Sequence, residues 1–259
     1  STFTLCGHDR IHPDNDGHMM MAYLFLKAQG MAGKPVATAD IDAAKGSVVE
    51  EANCRLTDIE ATDRVVTFDY LAGSLPYPLD TIARGGMEFN RPQSRIKVLV
   101  PEFMSEFNAE TLRVRNLKKG AYRLTIDGIE IDTLQASQLA EGVNLASYDC
   151  TPQYQQALTV MILNEDRWEM ERRVRDWAWV EYDYFLKNGV KDVLSREARQ
   201  MYERDKKVGW WLASRRDIYA RMGNKGVQQA CEKYQENIVD EIYRQNRPVT
   251  RRVKLVRVK

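Results

Sequence analysis

Alternating β segments joined by tight turns constrain the fold more than any other feature of this sequence. Within residues 111–134, apolar side chains alternate with charged or polar ones, which is the period of a strand with one buried face. Residues 116–120 form the first turn, and Asp127-Gly128 is a dipeptide typical of a type I′ hairpin turn. The pattern predicts an antiparallel β meander.

The sequence beyond this meander is helical. Thr151-Pro152 combines an N-cap residue with proline at the first helical position, and the helical pattern continues without a breaker to Asn188-Gly189. Ser195 caps another predicted helix, and residues 227–246 supply a last one. Three regions are therefore predicted: residues 1–34, a β-rich segment over residues 35–134, and a helical region over residues 135–259 that ends in a basic strand.

Residues 1–34 have the pattern of strand, loop and helix. Residues 2–6 form a short predicted strand, Gly7 interrupts it, and a polar loop leads to an apolar helix that stops at Gly30. Residues 19–26 are apolar on every side, so we expect this helix to be buried on more than one face. This succession is typical of an α/β layer. Further along, we predict a weak helix or a linker over residues 37–51 and a strand over residues 95–100.

All three histidines of the sequence lie in one short run, GHDRIHPDNDGH. Asp9 and His12 are three positions apart on the loop after the strand, so one turn of chain can bring the carboxylate to the imidazole. A serine hydrolase uses a histidine as general base and an aspartate that fixes its tautomer and stabilises the imidazolium. Pro13 favours extended backbone at His12, which holds the ring away from the following helix. Asp9 and His12 are therefore the candidate catalytic residues.

The segment DRIHPDNDGH resembles the last conserved block of the SGNH/GDSL-type serine hydrolases, where Asp-x-x-His-Pro precedes Gly-His at the start of the final helix. The stretches GAYRLTIDG and AEGVNLA are similar to the accessory region of some bacterial members. The resemblance implies an α/β fold in which residues 1–34 are the C-terminal strand, loop and helix of an α/β/α, flavodoxin-like sandwich. It also implies that Asp9 is the acid of a Ser-His-Asp triad, that His12 is its base, and that His18 is structural.

The same resemblance implies an ester hydrolase whose nucleophile lies outside this chain. The family's Gly-Asp-Ser block comes far upstream of Asp-x-x-His, and no serine here stands in Gly-Asp-Ser or in Gly-x-Ser-x-Gly. We therefore interpret the chain as the C-terminal part of a longer esterase, which acts with its missing N-terminal part on carbohydrate O-acyl esters, acetyl esters above all. The resemblance implies no metal or organic cofactor, and it points to a secreted or periplasmic protein.

Other interpretations of these residues stay open. Four residues of the loop, His8, Asp9, His12 and His18, could ligate zinc, because imidazole and carboxylate groups suit that ion. Asp9 and His12 could instead cap the helix that follows them. The chain could also be an inactive accessory module that binds carbohydrate or another partner. Aromatic residues at helical spacing favour core packing over a sugar-stacking platform, and they are Trp168, Trp177, Trp179, Tyr182, Tyr184, Trp210 and Trp211.

Charge and composition exclude several classes of partner. Lysine and arginine number 38 against 37 acidic residues, so no global field favours nucleic acid. The C-terminal run RPVTRRVKLVRVK is basic, but its β-prone residues predict a strand with solvated charges rather than a polyanion-binding tail. The longest apolar run, residues 19–26, is too short to cross a membrane. The four cysteines are far apart, which disfavours a zinc or thioredoxin-like motif.

Overall fold

A computed structural model of the chain describes residues 5–6, 10–79, 81–82, 92–205, 207 and 209–258. The chain forms two compact units, the first made of Ser1–Thr159 with Asn246–Lys259 and the second of Val160–Gln245. The helices are α1 (Asn15–Ala28), α2 (Ile96–Leu99), α3 (Phe103–Glu106), α4 (Ala136–Glu141), α5 (Pro152–Trp179), α6 (Arg196–Asp205), α7 (Trp210–Ser214), α8 (Arg216–Met222) and α9 (Lys225–Gln245). The strands are β1 (Ala37–Asp42), β2 (Ser47–Ala52), β3 (Cys54–Ala61), β4 (Val65–Ala72), β5 (Glu110–Arg115), β6 (Ala121–Ile126), β7 (Ile129–Gln135), β8 (Val143–Asn144) and β9 (Arg251–Val258).

Two sheets enclose the core of the first unit. One sheet has the strand order β2-β1-β5-β8, with β1 and β5 parallel, and the other has the order β3-β4-β9-β6-β7 and is antiparallel. Strand β9 is central in the second sheet, where Val253 lies opposite Phe68 and Leu255 opposite Leu124. Apolar residues of both sheets form one buried cluster. The basic C-terminal run is therefore a strand, as its β-prone residues predict.

The predicted meander is only partly correct. Strands β6 and β7 form the expected antiparallel hairpin, and Asp127 and Gly128 have the positive φ values, 52° and 82°, that a type I′ turn requires. Strand β5 belongs instead to the other sheet, between β1 and β8. Alternation along a strand defines its buried face but not its partner, because either sheet can cover the same apolar side chains.

Two further segments differ from the sequence-based expectation. The region predicted as a weak helix or linker forms the hairpin of β1 and β2, because pairing with β5 and burial in the core outweigh local propensity. The strand predicted over residues 95–100 is a turn of helix. Ile96 and Val100 are both buried in a small cluster beside α1, and a helical turn brings two such residues to one face.

A buried carboxylate joins the two parallel strands of the first sheet. Asp40 is fully buried and accepts hydrogen bonds from Arg113 Nη1 at 3.1 Å and from Arg115 Nη2 at 2.6 Å. Burial alone raises the pKa of Asp40, but the hydrogen bonds from Arg115 and Arg113 outweigh that effect and the net pKa is lowered. The ionised side chain therefore fixes the register of β1 against β5.

The second unit consists of helices around an aromatic core. The long helix predicted from Thr151-Pro152 is found, with Thr151 Oγ1 accepting from the Tyr154 amide at 3.3 Å, and its continuation ends at Gly189, where φ is 83°. The Ser195 cap is also found, since its Oγ accepts from the Ala198 amide at 3.1 Å. Trp177 is buried in the core, whereas Trp168, Trp179 and Tyr182 are exposed, so core packing explains only part of the aromatic series. No helix in the described part of the chain is long and apolar enough to span a membrane.

Candidate active site

His12 lies on the loop that leads into α1, and it is exposed to solvent. Asp14 occupies the N-cap position of α1 with extended backbone (φ −67°, ψ −176°), so His12 is not the capping residue of this helix. His18 is an exposed residue of α1. Asp9 and His8 lie outside the described residues, so the pairing of Asp9 with His12 stays a prediction. The ranges that the structure describes contain no group of three or more potential metal ligands.

An ion pair between a buried aspartate and a partly exposed arginine fixes the start of α1. Asp16, in the first helical turn, accepts hydrogen bonds from Arg95 Nε at its Oδ1 (3.1 Å) and its Oδ2 (3.0 Å). The aspartate side chain is 7% exposed, and negative charge is favourable at a helix N-terminus. This pair attaches the first turn of α1 to Arg95, which directly precedes α2. The C-terminal end of the loop that carries His12 is therefore held in place.

Gly17 allows the preceding chain segment to approach this helix closely. A Cβ atom at Gly17 would lie 2.0 Å from the carbonyl oxygen of Leu5 and 2.8 Å from Cβ of Pro13. No residue other than glycine fits this contact without a backbone shift. Gly17 of the sequence motif therefore has a packing role, because it lets the chain before the loop return against the first turn of α1.

An apolar cavity of about 160 Å³ lies along α1, beyond the turn that Asp16 fixes. Tyr23 from α1, Tyr77, and Phe103 and Phe107 from the α3 region provide aromatic walls. The Tyr23 hydroxyl donates to Glu106 Oε2 at 2.7 Å, which leaves the ring as the surface that faces the cavity. An apolar or aromatic group of a small ligand suits such a lining.

The opposite face of α1 is apolar and uncovered by the described residues. Met21 is 47% exposed, Leu24 53% and Phe25 65%. Burial of this helix on more than one face was expected from its sequence. That expectation is wrong for the length of α1 that carries Met21, Leu24 and Phe25, where, among the described residues, the side with Tyr23 packs on the neighbouring cluster and the opposite side stays exposed. A contiguous apolar helix face of this kind is typical of a surface that packs against further polypeptide.

Comparison with known proteins gives two similarities. Residues 158–247 match the family described as the diltiazem deacetylase C-terminal helical domain. The chain is also similar to the solved structure of a gut microbial diltiazem-metabolizing enzyme, with 47% sequence identity and a TM-score of 0.92. That match covers 99% of this chain and 57% of the enzyme's chain, so the sequence spans little more than half of its relative. No curated protein sequence matches the chain.

The structural similarity confirms the α/β class of the fold. The family match covers most of the predicted helical region and all of the second unit. Sequence patterns did not identify Asp16 and Arg95 as partners, because 79 positions separate them. The acidic residue in the first helical turn was the only local signal of this pair.

Replacement of Asp16 by Asn is expected to lower the free energy of unfolding by about 1–2 kcal/mol, because Arg95 loses a charged hydrogen-bond acceptor. Urea unfolding followed by circular dichroism measures the change. Asp149→Asn, at an exposed position of the same unit, is the matched control and is expected to change stability by less than about 0.5 kcal/mol. Equal stabilities of the two variants would show that the Asp16–Arg95 pair does not fix the start of α1.

Proposed function

We propose that this chain is the C-terminal part of an SGNH-type serine esterase that removes acetyl groups, with His12 as the general base and Asp9 as its orienting acid. The observation that carries the proposal is the Asp-x-x-His segment at the entry of α1, in a chain 47% identical to a diltiazem-metabolizing enzyme. The family that residues 158–247 match is named for the deacetylation of the same compound, diltiazem.

The proposed chemistry is acyl transfer through a covalent intermediate. His12 removes the proton of a serine hydroxyl as the serine oxygen attacks the ester carbonyl, and Asp9 stabilises the imidazolium that forms. The tetrahedral intermediate collapses when His12 donates that proton to the departing alcohol oxygen. Water, deprotonated by His12, then attacks the acyl-enzyme, and acetate leaves as the serine recovers its proton. Hydrogen-bond donors aimed at the oxyanion stabilise both tetrahedral intermediates.

The surroundings of His12 support this role. An exposed imidazole on a loop that ends at a fixed helical turn can reach a substrate while keeping its position. In the proposal, the serine and the oxyanion-hole donors come from polypeptide outside residues 1–259. The uncovered apolar face of α1 supports this arrangement, because Leu24 and Phe25 would be buried by such a segment.

The proposed substrate is an O-acetyl ester of a small alcohol. The SGNH resemblance favours a carbohydrate alcohol, and the aromatic-lined cavity beside α1 favours an alcohol with an apolar ring. Both classes share the same scissile acetyl ester. The rates of acetate release from an acetylated hexose and from aryl-bearing acetates such as diltiazem can therefore be compared directly. The difference shows which alcohol the protein prefers, because the reaction is the same for both.

The proposal is tested with the polypeptide expressed from the complete reading frame that contains residues 1–259. We expect this protein to release acetate from p-nitrophenyl acetate and to react with a fluorophosphonate probe at a single serine. Peptide mass spectrometry is expected to place the labelled serine outside residues 1–259. Residues 1–259 expressed alone are expected to hydrolyse the ester no faster than buffer, because removal of a triad member leaves little activity.

Two results would contradict the proposal. A labelled serine within residues 1–259 would show that the nucleophile is part of this chain. A folded polypeptide from the complete reading frame that releases no acetate from any of the esters would favour the accessory-module interpretation instead.

A further inference from the structure

A second cavity of the first unit is lined by residues that lie far from α1 in the sequence. Its volume is about 230 Å³. Three segments line it. They are Tyr70 with the residues after β4, Gln153 and Gln156 at the start of α5, and the residues that lead into β9. None of the described residues in the loop that carries His12 lines it. The cavity is therefore separate from the candidate active site.

A buried acid supports the floor of this cavity. Glu110 is fully buried, and its Oε1 accepts hydrogen bonds from the Tyr70 hydroxyl at 2.8 Å and from Gln153 Nε2 at 2.9 Å. Among the described residues, Glu110 Oε2 and Gln153 Oε1 have no hydrogen-bond partner, although both atoms are buried. Gln153, which is 3% exposed, is itself part of the cavity wall. Gln153 Oε1 can only accept, and a buried acceptor without a donor is costly, so this wall favours a ligand that donates a hydrogen bond.

The charges around the cavity are already balanced. Arg251, the cationic residue of the lining, donates from Nη1 to Asp127 Oδ2 at 3.0 Å and from Nη2 to Gln156 Oε1 at 2.7 Å. Burial raises the pKa of Glu110 to about 7, so a large share of this acid is neutral near pH 7. A charged ligand would lose its hydration here without gaining an opposite charge. The cavity therefore favours a neutral ligand.

The remaining lining has two kinds of surface. Ser74 and Asn246 add a hydroxyl and an amide, and Leu75, Pro248 and Val249 add apolar groups. A ligand with both hydroxyl and C–H groups matches this mixed lining, and pyranose sugars have both. The volume is below the range of about 300–1,000 Å³ that holds drug-sized molecules. One sugar ring, rather than a larger compound, is the appropriate size.

We propose that this cavity is a binding site for a neutral, hydroxyl-bearing ligand of monosaccharide size, with Gln153 as the hydrogen-bond acceptor at its floor. Binding at this site does not depend on the proposed ester hydrolysis. A protein that lacks esterase activity would still bind such a ligand, and an esterase that binds no sugar here would still hydrolyse its substrate.

The test is calorimetric and ligand-observed NMR titration of the polypeptide expressed from the complete reading frame. The probes are D-glucose, D-galactose, D-mannose and N-acetyl-D-glucosamine, with D-glucuronate as the charged counterpart of glucose. We expect saturable binding of at least one neutral sugar with a dissociation constant of about 1 mM or below. We expect D-glucuronate to bind at least about tenfold more weakly than the neutral sugar.

Two tryptophan variants provide the matched pair. Val249→Trp places a large ring in the cavity, and Val98→Trp places the same ring at an 82% exposed position of α2 outside it. We expect Val249→Trp to weaken sugar binding at least about tenfold and Val98→Trp to leave it unchanged, with p-nitrophenyl acetate hydrolysis the same in both. Gln153→Met, a third variant, is expected to weaken binding similarly, with circular dichroism as the check that it folds.

Several results would overturn the proposal. One is the failure of all four neutral sugars to saturate the protein. Another is unchanged binding by the Val249→Trp variant, which would place the sugar elsewhere. Equal affinity for D-glucuronate and D-glucose would show that the cavity does not select neutral ligands.

Discussion

The His12→Ala variant of the polypeptide from the complete reading frame is expected to hydrolyse p-nitrophenyl acetate at least about a thousandfold more slowly in kcat/KM. The physical reason is that alanine cannot accept the serine proton, so the nucleophile stays a poorly reactive hydroxyl. His12 makes this large effect testable without loss of the fold, because it is exposed and lies before the first residue of α1. Steady-state kinetics with circular dichroism on the same sample measure both properties.

His18→Ala is the matched control for this prediction. His18 is also an exposed histidine, but it lies on α1 itself, and we expect its removal to change kcat/KM by less than about threefold. Asp9→Asn is expected to lower kcat strongly, by up to about four orders of magnitude, because the imidazole loses its orienting carboxylate. Equal rates for His12→Ala and the unmodified protein would remove His12 from the mechanism. Equal losses for His12→Ala and His18→Ala would indicate a structural effect.

Replacement of Glu110 by Gln is expected to stabilise the protein at alkaline pH. Burial raises the pKa of Glu110 from 4.5 to about 7, while hydrogen bonds from Tyr70 and Gln153 oppose the shift. The folded state therefore holds a proton that the unfolded state releases between these two values. The stability contributed by the neutral acid is fully present below about pH 4.5 and is lost as the pH rises to about 7, by a total of about 3 kcal/mol at most.

Glutamine has the shape of the neutral acid and cannot ionise. Its side-chain oxygen can accept the same bonds from Tyr70 and Gln153. We expect Glu110→Gln to match the unmodified protein at about pH 4.5 and to exceed its unfolding free energy by about 1–3 kcal/mol at about pH 8. Urea unfolding across this pH range measures the difference. Glu60→Gln, at an exposed position of β3, is the control and is expected to show no such trend.

A stability difference that does not change with pH would contradict this assignment. It would mean that Glu110 is ionised in the folded state throughout the range. Lower stability of Glu110→Gln at about pH 8 would lead to the same conclusion, because only an ionised acid would then be contributing to the fold.

Local chemistry made several elements predictable. The Thr151-Pro152 start, the Ser195 cap, the Gly189 stop and the Asp127-Gly128 turn each depend on residues within one helical or β turn of each other. The C-terminal boundary of α1 follows in the same way from Gly30, where φ is 71°. The Asp9–His12 pairing is of the same local kind, and it stays a prediction because Asp9 is outside the described residues.

Features that depend on distant residues were not predictable. The apolar pattern of β5 fits either sheet, and its place beside β1 depends on Asp40, whose bonds to Arg113 and Arg115 join residues more than 70 positions apart. The α1 sequence indicated burial on several faces, but how much of it is covered depends on what else folds against it. Neither the exposure of a helix face nor the partner of a strand is a property of a short window of sequence.

By itself, the sequence determined α1, α5, α6 and α9, the β6–β7 hairpin and the position of the candidate catalytic histidine before α1. Caps, turn residues and motif spacing act between near neighbours, so a short stretch of sequence is enough to show them. Only the tertiary structure decided that Asp16 pairs with Arg95 and that Glu110 is enclosed with Tyr70 and Gln153. The pKa of an acid and the lining of a cavity depend on which distant groups exclude water from it. That exclusion exists only after the two sheets and the start of α5 have packed together.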